Sequence, residues 1–94
     1  MDEVFQEARE RGRRLAVAEI REGCEESRDP LSGEWAGESV TELIGDLVAR
    51  VVGSYDDEGD AWADVADEYE AGYFTTWTEV ARENGNLEAW EAGR

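Results

Sequence analysis

Asp57, Asp60, Asp64, Asp67 and Glu68 follow one another at intervals of three, four, three and one residues. On an α-helix, residues three and four apart share a face, so this spacing gathers the carboxylates into one ridge. Four residues of helix advance about 6 Å. Carboxylates at that interval on a stiff rod can stand in for the backbone phosphates that recur along a nucleic-acid strand. Glu34, Glu38, Glu42 and Asp46 would widen the ridge if the preceding helix lies alongside. The chemistry open to such a surface is recognition of a basic protein, competing with DNA for its groove and weakening steeply as salt rises.

Catalysis has far less to work with. The chain has no His for general acid–base work and no Lys for Schiff-base or phosphate chemistry, and its one thiol, Cys24, lacks a His to activate it. Carboxylate pairs can move protons, but with 25 Asp and Glu such pairs arise everywhere by chance. No glycine-rich phosphate loop is present. A non-enzymatic protein without a cofactor is expected. One Cys and no His leave no zinc set. The acidic turn around Gly59 fails as a calcium loop, because Val65 falls where a bidentate Glu is required. No metal site is expected.

The charge also sorts partners. Twenty-five acids against nine Arg give a formal net charge of −16 on 94 residues. That field repels nucleic acid and anionic membrane and accelerates encounter with basic proteins. It is uneven: residues 1–30 hold nine acids and six Arg, net −3, and residues 31–94 hold sixteen acids and three Arg, net −13. Arg9, Arg11, Arg13 and Arg14 do not make a basic patch. Glu7 and Glu10 precede Arg11 and Arg14 by four, the favourable order for helix ion pairs, so a salt-bridged solvated face is the better reading. A lone Cys and the absence of a membrane-length apolar run suit a soluble cytoplasmic protein.

The elements that must position the ridge are helical. Ser39 to Tyr55 carries apolar residues at Val40, Leu43, Ile44, Leu47, Val48, Val51, Val52 and Tyr55. This 3-4 spacing predicts a helix over 40–52, the aliphatic centre of the core. Ser39 and Glu42 form a capping box at its start, and Gly53 marks its stop. A first helix over 2–24 carries Phe5, Ala8, Gly12, Leu15, Ala16, Ile20 and Cys24 on one side. Its small residues predict a close approach to a neighbour. A third helix over 60–84 sets an aromatic stripe, including Trp62, Tyr69, Tyr73 and Trp77, opposite the ridge, with a weak point at Thr75-Thr76. Asn86 caps a last helical turn over 87–92 that carries Trp90. The loop over 25–38 lends Leu31 and Trp35 to the core. The fold expected is all-α, a three-helix antiparallel bundle with a short C-terminal helical turn, residues 1–94 forming one acidic domain.

Over Asp29 to Val40, DPLSGEWAGESV, and Ala66 to Trp77, ADEYEAGYFTTW, the chain resembles small acidic proteins encoded by phages of high-GC actinobacteria. The likeness is a lysine-poor composition, a Trp between Gly residues and an acidic-aromatic last helix. It implies no residue roles. What it implies is a setting: a phage protein that binds and disables a host protein in the host cytoplasm, nucleic-acid mimicry being a recurrent means. The alternative is a helical adaptor or homodimerising module docking through Trp35, Phe74, Trp77 and Trp90. Arg-only, acid-rich composition also suits a GC-rich genome or a salt-adapted proteome. Circular dichroism in dilute buffer and in molar KCl separates these: a folded chain in dilute buffer is expected, and a chain folded only in KCl would assign the acidity to salt adaptation.

Overall fold

The computed structural model describes residues 2–31, 34–35 and 38–93, and for residues 2, 34, 35, 38 and 39 the backbone alone. Three long helices, α1 (Asp2–Arg21), α2 (Val40–Val51) and α3 (Glu58–Arg82), precede a short fourth, α4 (Leu87–Ala92). The fold is all-helical apart from a two-residue antiparallel pair, β1 (Glu34–Trp35) and β2 (Glu38–Ser39), in the loop before α2. The capping box falls partly outside the described residues, since the Ser39 side chain is among them no more than Trp35's.

The aliphatic stripe of α2 is buried as its spacing requires: Val40, Ile44, Leu47, Val48 and Val51 are all in the core. The helix ends one residue earlier than expected. Gly53 lies inside a single 3₁₀ turn, Val52–Ser54, closed by Tyr55 N–H donating to Val52 O (3.0 Å). Tightening to this pattern satisfies the last carbonyls without a left-handed glycine.

The most extensive helix–helix seam joins α1 to α3. The second helix is the greasiest element but not the one on which the packing turns. At the seam the backbones themselves touch: a Cβ built on Gly12 would collide with the Tyr69 carbonyl oxygen, and one on Gly72 with that of Arg9. The close approach expected of the small-residue stripe is therefore present, and it takes a glycine from each side. Contacts advance together along both helices, from Arg9 beside Glu68 and Gly72 to Glu19 beside Tyr73 and Trp77. Near its other edge α1 meets the end of α2, where Glu7 pairs with Arg50.

Burial divides into two clusters. The larger joins Val4, Ala8, Leu15 and Ala16 of α1 to the α2 stripe and to Ala61, Val65, Ala66, Tyr69 and Tyr73 of α3. Leu31 packs against it from the loop, while Asp29 Oδ1 accepts from Leu31 N–H (3.0 Å) in the turn that Asp29-Pro30 announces. The smaller cluster is Val17, Val80 and Trp90, flanked by Ile20 and Leu87. Trp90 is thus core, and its Nε1 donates to Glu79 Oε1 (3.1 Å).

The weak point at Thr75-Thr76 does not break α3. Thr76 is buried and its hydroxyl donates to the Gly72 carbonyl (2.8 Å), one turn back. The helix stops at Asn84 and Gly85, both with left-handed backbone (φ 59° and 77°), where Gly85 N–H donates to Val80 O (3.0 Å). Asn86 then caps α4 by accepting from Ala89 N–H (3.1 Å).

Gly12→Ala and Gly72→Ala should each destabilise the fold. Alanine gains about 1 kcal/mol of helix propensity, but a forced separation of two backbones costs about 1–3 kcal/mol, and rigid backbone cannot move aside as a side chain can. Gly45, whose Cβ would meet only Trp62 at 3.7 Å, is the control: Gly45→Ala should stabilise. Denaturant midpoints of the three variants check both signs.

Candidate functional site

The outward side of α3 carries Asp60, Asp64 and Asp67, all exposed. They lie opposite Ala61, Val65, Tyr69, Tyr73, Thr76 and Val80, which are buried on the same helix. The two periodicities have one origin, since a 3.6-residue turn that sinks one stripe raises the other. No Arg pairs with these three among the described residues.

Two members of the sequence-derived ridge have other employment. Asp57 is the N-cap of α3, and its Oδ1 accepts from Gly59 N–H (2.7 Å). It anchors the helix start, where a carboxylate also meets the positive end of the helix dipole. Glu68 lies toward α1 and is ion-paired with Arg9. The structure thus brings Asp60, Asp64 and Asp67 into line and sets Asp57 and Glu68 at the edges. Glu42 and Asp46 are exposed on α2, whereas the side chains of Glu34 and Glu38 lie outside the described residues.

Tyr55 reports the local potential. Its hydroxyl donates to Asp64 Oδ2 (2.7 Å). That bond, with partial desolvation and the charges of Asp64 and Asp60, holds the phenol above its ordinary range. The arginines of α1 are largely matched: Arg13 bonds Glu10, Arg11 approaches Glu7 at 4.0 Å and Arg14 approaches Glu10 at 3.8 Å. The i,i+4 pairs read from the sequence are present, but the tighter partners are Glu10 for Arg13 at i,i+3 and, across helices, Glu7 for Arg50.

Of the aromatic alternative, Phe74 alone is openly placed, at 40% exposure with its ring edge-on to Tyr73 (centroids 4.9 Å). Trp77 is half-buried and donates through Nε1 to Glu19 (3.3 Å), Trp90 is core, and the Trp35 side chain lies outside the described residues.

Glu19 is the residue the sequence reading missed. It is a carboxylate only 3% exposed, taking the Tyr73 hydroxyl and the Trp77 indole N–H on one oxygen. Tyr73 OH in turn accepts from Arg28 N–H (2.7 Å), so one phenol ties α1, α3 and the loop together. The available signal was an acid set among Leu15, Ala16 and Ile20 on the apolar side of α1, facing a stripe with its own O–H and N–H groups. Hydrogen-bonding both donors to one buried acceptor avoids the cost of leaving any of them unsatisfied. Among the described residues, no three His, Cys, Asp or Glu side chains converge in a metal-holding group, and no helix is long and apolar enough to cross a membrane.

Comparison of the chain with protein-family models, with curated proteins and with solved structures yields no match.

Burial pushes the Tyr73 phenol up to about 12; bonding to Glu19 adds to this, and the Arg28 N–H opposes it. A phenol raised above its unfolded value of about 10 stabilises the fold fully below that pH. The contribution is lost as pH rises from about 10 towards about 12. Tyrosinate absorbance during alkaline titration should show a late ionisation that accompanies loss of helix, and Tyr73→Phe should remove that step while leaving the one belonging to Tyr55.

Proposed function

We propose that the chain is a non-enzymatic acidic binding protein that occupies a basic, nucleic-acid-binding surface of another protein, as a DNA mimic. Its setting is that of a phage-type inhibitor acting in the cytoplasm of a host cell. The observation that carries the reading is the line of Asp60, Asp64 and Asp67, exposed on a 25-residue helix and unmatched by Arg among the described residues. From Asp60 to Asp67 the helix advances about 10 Å, a stretch over which a nucleic-acid strand also presents several negative groups. Uncompensated charge repels itself and costs stability, so its presence on the longest helix favours use.

The rigidity such a mimic needs comes from an antiparallel three-helix bundle. That course is supported by Glu7 near the start of α1 meeting Arg50 near the end of α2, and by Gly45 of α2 lying beneath Trp62 near the start of α3. The partner is a basic protein; nucleic acid itself and membrane are disfavoured by a net charge of −16. The adaptor or homodimer reading keeps one supporting observation, the exposed Phe74.

Immobilised protein should capture a basic partner from host lysate at about 50 mM salt and release it by about 500 mM, over which the Debye length shrinks about threefold. Asp60→Asn/Asp64→Asn/Asp67→Asn should lower capture at low salt by about tenfold or more while leaving the circular dichroism spectrum unchanged. Capture indifferent to both salt and the triple substitution would overturn the mimic.

A further inference from the structure

The acids fill only half of the outward face of α3. Beyond Asp67 that face continues through Ala71, Phe74, Thr75, Thr78 and Ala81, all exposed and uncharged, with the half-buried Glu70 along its edge one turn before Phe74. In a chain that is 36% charged, this is an unusual gap, and the exposed large apolar side chain Phe74 sits at its centre. Phe74 is held upright: its backbone belongs to an unbroken helix, and its ring stacks edge-on against Tyr73, which is itself fully buried and anchored to Glu19 and Arg28. Asp67 and Phe74 are seven residues apart, so about 10 Å separates the last ridge carboxylate from the ring.

We propose that this helix face is one docking surface in two parts, and that its partner is a basic protein surface with an apolar recess about 10 Å beyond its cationic groove. The inference rests on the mimic reading and adds to it. Charge complementarity steers the approach and sets the register along α3, while Phe74 entering the recess supplies affinity that salt does not screen. A surface of carboxylates alone would bind every basic protein in proportion to its charge. The ring lets the chain choose among them, because a DNA-binding groove with no neighbouring recess would leave Phe74 in water.

Two synthetic peptides test this: one of five arginines followed by five glycines, the other with its last two glycines replaced by leucines. Three glycines span about 10 Å when extended, so the leucines of the second reach the ring when the arginines lie on the ridge. Titration calorimetry should show the leucine peptide binding about tenfold more tightly, the gain expected from burying part of a Phe side chain. Phe74→Ala should abolish that gain without altering affinity for the glycine peptide, and Phe74→Leu should retain most of it. Amide NMR shifts from the leucine peptide should extend to Thr75 and Thr78. A gain that is absent, or that persists in Phe74→Ala, would overturn the two-part surface while leaving the ridge intact. If instead Asp60→Asn/Asp64→Asn/Asp67→Asn leaves affinity for the glycine peptide unchanged, the mimic reading itself falls.

Discussion

Backbone contact between α1 and α3 sets the geometry of everything else. Gly12 and Gly72 remove the side chains that would hold two helices at the usual 8–10 Å, and each puts its Cα against a carbonyl of the other helix. Two consequences follow from this one approach. Glu19 is brought near enough to Tyr73 and Trp77 to accept from both. The outward side of α3 is turned away from α1, so its carboxylates face water instead of arginine.

The arginines show how the chain tolerates so much negative charge. Six of the nine lie in residues 1–30, and on α1 they are matched to Glu7, Glu10 and, across the seam, Glu68. Exposed pairs of this kind are worth little singly, about 0.2–1 kcal/mol. Placed along the seam, however, they lower the repulsion where helices must touch and leave it high where the surface is free.

Much of this was legible in the residues. The α2 stripe and the cap at Asn86 are written in local spacing, because each depends on neighbours within a turn or two. Asp57, by contrast, read as part of the ridge, is the N-cap of a helix that starts two residues earlier than its apolar pattern. What escaped was set by partners distant in sequence. Spacing sets Trp62 on the stripe that packs against the core, but not how deeply: Ala61 takes the fully buried place and Trp62 lies half-buried over Gly45. Val17 looked like a residue off the stripe of α1, until α4 returned to cover it with Trp90. Glu19 looked like surface for the same reason: a charge in a helix is read as solvated unless its donors, more than fifty residues away, are known. Of the candidate ridge, spacing placed Asp60, Asp64 and Asp67 on one face, but it could not show that Glu68 would be claimed by Arg9.

The separation of the smaller cluster from the larger one has a dynamic consequence. Helix α4 is fastened by Trp90 on Val17 and Val80, by the Trp90 indole on Glu79 and by Arg21 on Glu91 (3.1 Å). Its detachment would therefore uncover one small apolar spot and leave the packing of Ile44, Leu47, Val65 and Tyr69 undisturbed. Such a segment opens as a local unit at a fraction of the free energy of global unfolding. The molecule thus carries a separable segment at the end of α3 remote from Asp60, Asp64 and Asp67, and a protease entering there would leave that line of carboxylates whole.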